Sequence, residues 1–275
     1  MSLRINTNVA SYAIQNAMQV SDRQVTRAMK NLSTGSRLSD PSVDPASAAI
    51  NNDLGSTISS MGAAKRNAEQ ATSFAAVAEG GMSEQSNLLV RMRELAIQSA
   101  SDTYSDRERG FMQNEFEKLG SEVERIAQTS SFGSRKLLDG SSHDIDVQVG
   151  TKGDANSRIS FSAETDTTAS GLGISGLSVA EKSDARDALD SLDSGLDKIS
   201  SQRSKYGAFQ SRLESAQNSL GANIENLSGA KSKIGDADIS KEVSDLRKAQ
   251  VLQQYQANLL SQANEQTGLA LKLIA

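Results

Sequence analysis

The sequence predicts a mainly α fold: an elongated antiparallel helical bundle of coiled-coil character, with a small β-hairpin and its N- and C-termini paired. Two heptad series carry the expectation. Every seventh residue from Ala185 to Ile234 is apolar, through Leu192, Ile199, Tyr206, Leu213, Leu220 and Leu227. A second series runs through Met61, Ala68, Ala75, Met82, Leu89 and Ala96, and most of its +3 positions (Ala64, Ala71, Ala78, Met92) are small or apolar, with Gln85 and Ser99 the exceptions. A repeat of about 3.5 residues sustained this long is the pattern of helices wound around one another. The two seams lie in opposite halves of the chain, so the simplest fold brings its ends together and makes these thirteen-odd apolar positions the core of a rod.

Composition agrees. Among 275 residues only 4% are aromatic and 37% hydrophobic, with no Trp, which disfavours a large globular core. Both prolines, Pro41 and Pro45, fall in one short segment, so little else forbids helix. A formal charge of -5 argues against a nucleic-acid partner, because phosphate binding needs a basic surface. With no cysteine there is no disulfide and no thiolate metal site. No stretch approaches the roughly 18 apolar residues of a membrane span, and the opening Met1-Ser2-Leu3-Arg4 lacks the apolar region of a cleaved signal peptide.

The elements follow in order. Residues 8–32 read as a helix with an apolar stripe through Ala10, Ile14, Ala17, Val25, Ala28 and Leu32. It stops at Ser33-Thr34-Gly35, and residues 39–45, held by the two prolines, are expected to be an ordered, extended connector. Helix resumes near Ala46 and runs to about Ser101, weakened only at Gly80 and Gly81. Ser105 to Glu108 is a capping box that opens a third helix, with the stripe Met112, Phe116, Leu119, Val123 and Ile126. Residues 144–149 and 157–161 alternate with period two across a Gly-rich turn and predict a β-hairpin. The Ser/Thr/Gly-rich stretch 162–176 reads as a surface loop. A long helix is expected from about Ser178 to Lys233, then an interruption in which an Asp caps the last helix, 239–274.

Several segments, taken together, resemble bacterial flagellin. Ile5-Asn6-Thr7-Asn8, Leu32-Ser33-Thr34-Gly35-Ser36-Arg37-Leu38, the run from Arg91 to Ser99, Gln148-Val149-Gly150, the run from Gly207 to Glu214, Ile234-Gly235-Asp236-Ala237-Asp238 and Gln262-Ala263-Asn264 are each similar to a family motif and occur in the family's order. The run Val43-Asp44-Pro45-Ala46-Ser47 after the first interruption, Phe132-Gly133-Ser134 and Thr267-Gly268 near the end depart from it. The resemblance implies a short, core-only member: an inner terminal-helix domain (1–38 plus 236–275), a linker (39–45), a heptad-bundle rod (46–139 plus 178–235), and a hairpin with a surface loop (140–177) in place of outer domains. It implies a homopolymeric filament with the terminal helices inside, export unfolded through the flagellar type III apparatus, and an extracellular location. Other flagellins, a hook–filament junction protein, a filament cap and an export chaperone are the implied partners. The family's Toll-like receptor recognition residues fall on Arg91, Leu95 and Glu115. The alternatives are a hook–filament junction protein or, in another class, a soluble coiled-coil adaptor or chaperone.

Enzyme chemistry has little to stand on. His143 is the only histidine, so an HExxH zinc site cannot form, and no phosphate-loop motif occurs. Asp236 and Asp238 stand before a helix, where capping outweighs acid–base work. No cofactor or metal is expected, and charge runs such as Arg107-Glu108-Arg109 read as solvated helix faces. The exception to these bland readings is the terminal apolar surface. Ile14, Leu32, Val243, Leu246, Leu252, Leu259, Leu260, Leu271 and Ile274 have no third intrachain element to cover them, and uncovered apolar stripes mark protein–protein interfaces.

Overall fold

The computed structural model describes residues 7–141 and 144–272, with only the backbone described beyond residue 265. His143, Ile5, Asn6 and Ile274 lie outside the described residues, as does the side chain of Leu271. The elements run α1 (Val9–Thr34), α2 (Pro45–Ser99), α3 (Asp106–Thr129), β1 (Ser131–Phe132), β2 (Arg135–Lys136), β3 (Ile145–Gln148), β4 (Arg158–Phe161), α4 (Ala169–Leu172), α5 (Lys182–Gly235) and α6 (Ile239–Lys272). Two compact units result: Thr57–Glu225, and the stretches up to Ser56 and from Asn226 onward.

In the Thr57–Glu225 unit, α2 runs antiparallel to α5, as the Glu79–Arg203 and Arg93–Asp193 ion pairs require. Their heptad seams interlock: Ala68, Ala75, Met82, Leu89 and Ala96 are 0% exposed against Leu192, Ile199, Tyr206 and Leu213, also 0%. α3 folds back on α2 and adds Phe116, Val123 and Ile126. Burial of each such Leu or Ile contributes about 1.5–3 kcal/mol. The seam thins at its ends. Leu220 is still buried, whereas Met61 is half-buried, because α3 and the hairpin cover only the middle of the seam; Leu227 and Ile234, which fall in the other unit, are also half-buried.

The two exceptions in the heptad line prove to be anchors. Gln85 Nε2 donates to Val123 O (3.0 Å) and to Thr167 O (3.1 Å), and the Ser99 hydroxyl donates to Val179 O. These bonds pull residues 162–179 onto the bundle. That stretch is therefore no surface loop: Ala163, Thr165, Thr167, Leu172, Ile174 and Val179 are buried, and α4 sits within it. The same anchoring delays the long helix to Lys182, since Val179 N donates to Gln113 Oε1 at 2.6 Å rather than entering a helix. Arg109 is likewise no solvated charge. It is 8% exposed and donates to Ser99 O (2.9 Å) and Ser101 O (2.8 Å), closing the C-terminus of α2.

β3 and β4 pair antiparallel, Ile145 opposite Phe161 and Gln148 opposite Arg158, as the alternation predicts. The β1–β2 hairpin was not legible from the pattern. It is two residues per strand about a turn with Gly133 at φ +63, the left-handed backbone that a tight hairpin needs at its first central position. Gly81 also has a reason: a Cβ there would meet Leu138 Cδ1 at 2.8 Å and Ser130 Oγ at 2.9 Å.

Candidate assembly surfaces

The second unit holds the α1–α6 helix pair, the turns that follow α1 and precede α6, and the adjoining ends of α2 and α5. α1 and α6 are antiparallel: Asn8 Nδ2 donates to Ala263 O (3.0 Å) near one end and Asn31 Nδ2 to Glu242 Oε1 (3.1 Å) near the other. The seam repeats at spacings of three and four on both helices, through Ser11, Ile14, Met18, Ser21, Val25, Ala28 and Leu32 on α1 and Leu246, Ala249, Gln253, Gln256, Leu260 and Ala263 on α6. Much of it is small or polar, and Ser11, Ser21, Ala28, Asn31 and Ala249 are its buried members.

The larger apolar side chains stand outside. On α1 these are Val9, Tyr12 and Val20, with Tyr12 62% exposed. On α6, Val251, Tyr255 and Leu259 follow one another four residues apart beside Leu252, with Tyr255 67% exposed. Residues four apart share one face of a helix, so this is a continuous apolar stripe.

The residues predicted for assembly thus divide. Val243, Leu252 and Leu259 are exposed. Ile14, Leu32, Leu246 and Leu260 are half-buried in the α1–α6 seam and belong to the intrachain contact, because the two terminal helices cover each other along this line. Val9, Tyr12, Val20, Val251 and Tyr255 are exposed as well and do not figure in the sequence-based expectation. Their signal was present, since they fall on the faces opposite the seam, but the stripe was drawn without a partner helix to orient it.

The connector at 39–45 is folded, not extended. Ser42 N donates to Asp40 Oδ1 (3.0 Å) and Val43 N to Asp40 O (3.1 Å), so a turn forms, and these bonds with Ser42 hold the Asp40 carboxyl below its ordinary range. Pro45 is not linker but the first residue of α2. Asp44 caps that helix by accepting from Ser47 N at 3.0 Å, and proline suits the first helical position because no amide bond is lost there. The turn after α1 is stapled to the turn before α6: Arg37 N donates to Gly235 O (2.9 Å), Arg37 Nε to Ile234 O (2.6 Å), and Ala237 N to Gly35 O (2.8 Å).

On the α2–α3 face, Arg91 Nη2 pairs with Glu115 Oε1 at 2.8 Å and Nη1 with Glu94 at 3.0 Å. The Glu115 carboxylate, with Glu94 behind it, raises the Arg91 guanidinium above its usual value. Leu95 is 2% exposed, which corrects the grouping of all three as one recognition surface: it faces the bundle core and offers a receptor nothing to touch.

No described helix is long and apolar enough to cross a membrane, and no group of three or more metal-ligating side chains occurs among the described residues.

Comparison with known proteins bears on these surfaces. The bacterial flagellin N-terminal helical region matches residues 5–143, and the bacterial flagellin C-terminal helical region matches residues 189–274. The flagellin of Halalkalibacterium halodurans is 32% identical over 270 residues, covering 98% of this chain and 99% of its own. A 30.7 kDa flagellar filament core protein of Treponema maltophilum is 32% identical over 283 residues, with 98% and 99% covered. Among solved structures, Bacillus cereus flagellin superposes with a TM-score of 0.51 at 25% identity, over 56% of this chain and 88% of that one. A putative flagellar hook-associated protein from Vibrio parahaemolyticus gives 0.59 over 70% and 100% of the two chains, a likeness of fold alone at 13% identity.

Proposed function

The chain belongs to the bacterial flagellin family, and on that premise we propose how it does the work of a filament subunit. It is a structural subunit that self-assembles into the extracellular flagellar filament for motility. The observation that carries the mechanism is the antiparallel helix pair, whose fully buried positions are small or polar while a second set of large apolar side chains stands outside the seam. Heterologous contacts between such faces propagate an open helical polymer when the rotation from one subunit to the next does not close a ring. Each Val, Leu or Tyr withdrawn from water by a neighbouring copy contributes about 1.5–3 kcal/mol, repeated at every subunit. Residues 1–38 and 236–275 are then the polymerising part, and the heptad unit is the part with a complete core of its own.

The triple substitution Val251→Ser, Tyr255→Ser and Leu259→Ser tests this reading. It is expected to leave monomer helicity intact and to abolish sedimentable filaments. Filaments of normal length from that variant would overturn it.

Export unfolded through the flagellar type III apparatus, with an export chaperone, filament cap and junction protein as partners, is part of the same proposal. A cysteine-free sequence supports it, since no disulfide can obstruct a narrow channel. Recognition of free monomer by the host Toll-like receptor is retained for Arg91 and Glu115, whose exposed ion pair is the supporting observation. Arg91→Ala and Glu115→Ala should each lower receptor-reporter signalling by monomer, and variants as potent as the unaltered protein would remove the idea.

A further inference from the structure

β4 has a free edge whose backbone groups are unspent. Val149 N donates to Ser157 O at 2.9 Å, and counting by twos along the register makes Val147 with Ile159 and Ile145 with Phe161 the hydrogen-bonded pairs. Asp146 with Ser160 and Gln148 with Arg158 are therefore non-bonded pairs, whose N–H and C=O groups point away from the partner strand. On β3 the outward carbonyl of Gln148 accepts from Asn67 Nδ2 of α2 at 3.2 Å, so that edge is engaged. On β4 the Arg158 N–H is taken by Ala155 O, while the N–H and C=O of Ser160 meet no partner among the described residues.

The buried face of the hairpin sets where this edge lies. Phe161 stacks on Phe209 at 4.4 Å and meets Tyr206 edge-on at 4.7 Å, both from α5. β4 thus overlies α5, and a cleft of about 420 Å³ opens beside it, lined by Ser160, Ser162 and Glu164 on one side and Lys205, Ala208 and Arg212 on the other. Lys205, Ala208 and Arg212 stand at i, i+3 and i+7, along one face of α5. Both cations are exposed and form no ion pair among the described residues, and the small Ala208 between them leaves room for a backbone.

We propose that the free edge of β4 is a docking site for an extended acidic peptide segment of a partner protein, added as a third strand over Lys205, Ala208 and Arg212. Main-chain bonds to Ser160 would hold the strand, and the cations would select its charge. Seven helical residues separate the cations by about 10 Å. Carboxylates two or four residues apart on one face of a strand span roughly 7 and 14 Å, within reach of flexible Lys and Arg side chains. A second copy would bring the same edge, with Arg158 and Glu164 together, rather than an acidic strand to match Lys205 and Arg212. The inference uses none of the α1 or α6 surface and stands apart from the filament reading.

The test uses the full-length monomer and a blocked, fluorescent peptide alternating Glu with Thr and Val, beside a Lys-for-Glu control. Anisotropy reports affinity and hydrogen exchange reports the Ser160 amide. The Glu peptide should bind and slow exchange at Ser160 by about fivefold or more. Lys205→Glu with Arg212→Glu, both on an exposed helix face, should weaken binding at least about tenfold with unchanged circular dichroism. Absent binding, equal binding of the Lys peptide, or binding that leaves Ser160 exchange unchanged would overturn the proposal. So would slowing of that amide by protein concentration alone, which would assign the edge to a second copy.

Discussion

The two units solve the same packing problem in opposite ways. In Thr57–Glu225 the largest fully buried side chains, Tyr206, Phe116, Met82 and Leu89 among them, belong to one core to which α2, α3, α4, α5 and the β3–β4 hairpin all contribute. In the α1–α6 pair the fully buried members are Ser11, Ser21, Ala28, Asn31 and Ala249; Ile14, Leu32, Leu246 and Leu260 are half-buried in the seam, and a second set, Val9, Tyr12, Val251 and Tyr255 among them, faces solvent. A helix pair that fully buries little beyond small and polar groups gains little stability by itself, since conformational entropy must still be offset. What it gains is an outer surface ready for copies of itself. The difference separates a part with a core of its own from a part that leaves a large apolar face uncovered.

The strongest way to break that comparison is deletion of residues 240–275. It removes the exposed α6 stripe together with α1's partner, and it should abolish filaments while leaving the Thr57–Glu225 bundle helical by circular dichroism. Loss of the bundle's cooperative melt in this truncation would show that the two units are not separable as argued.

Next in size is core truncation. Leu192→Ala, at a fully buried seam position, should cost about 2–5 kcal/mol in chemical denaturation. Leu252→Ala, on the exposed stripe, should change monomer stability by no more than about 0.5 kcal/mol. Equal costs would erase the contrast between the units.

A third prediction uses neighbouring glycines of α2. Gly81→Ala drives a methyl to 2.8 Å from Leu138 Cδ1 and should destabilise by about 1–3 kcal/mol. Gly80→Ala meets nothing within 4 Å and should stabilise by about 0.5–1 kcal/mol, because alanine loses less backbone entropy in a helix. Denaturation midpoints moving in the same direction would refute the account of why Gly81 is there.

The smallest effects are those of pH. Lys182 lowers the Asp102 carboxyl below 3.8 and Arg93 lowers Asp193, so the stability these pairs add is present above pH 3.8 and is lost as pH falls through the lower folded values. Burial raises the Tyr206 phenol above 10.0, with the nearby Thr165 hydroxyl opposing it weakly, so stability is lost as pH rises from 10.0 toward the folded value. Tyr206→Phe should flatten the alkaline limb of a melting-temperature profile and leave the acid limb unchanged.

Much of this was legible in the amino-acid pattern, and the failures share a cause. Heptads place Leu192 and Met82 in a core because period alone decides burial when helices are long. Period cannot say which side of α1 meets α6, so Ile14 and Leu260 were read as outward and Tyr12 and Tyr255 were overlooked. Polar anchors escaped for a similar reason. Gln85, Ser99 and Arg109 look like interruptions or surface until the carbonyls they serve, those of Val123, Val179 and Ser101, are brought beside them by the fold. Leu95 entered the recognition group through the family resemblance, and a resemblance of motif carries no exposure: the edge of the buried seam runs between Arg91 and Leu95. Residues 162–176 read as loop because Ser, Thr and Gly are turn formers, although Thr165 and Thr167 are buried.

The central claim, that α1 and α6 are completed by assembly while the heptad unit is complete alone, is tested most directly by hydrogen exchange on monomer and filament of the same protein. The account predicts amides of α2 and α5 within Thr57–Glu225 protected to a similar degree in both states, and those of α1 and α6 protected strongly only in the filament. Full protection of α1 and α6 already in dilute monomer would contradict it.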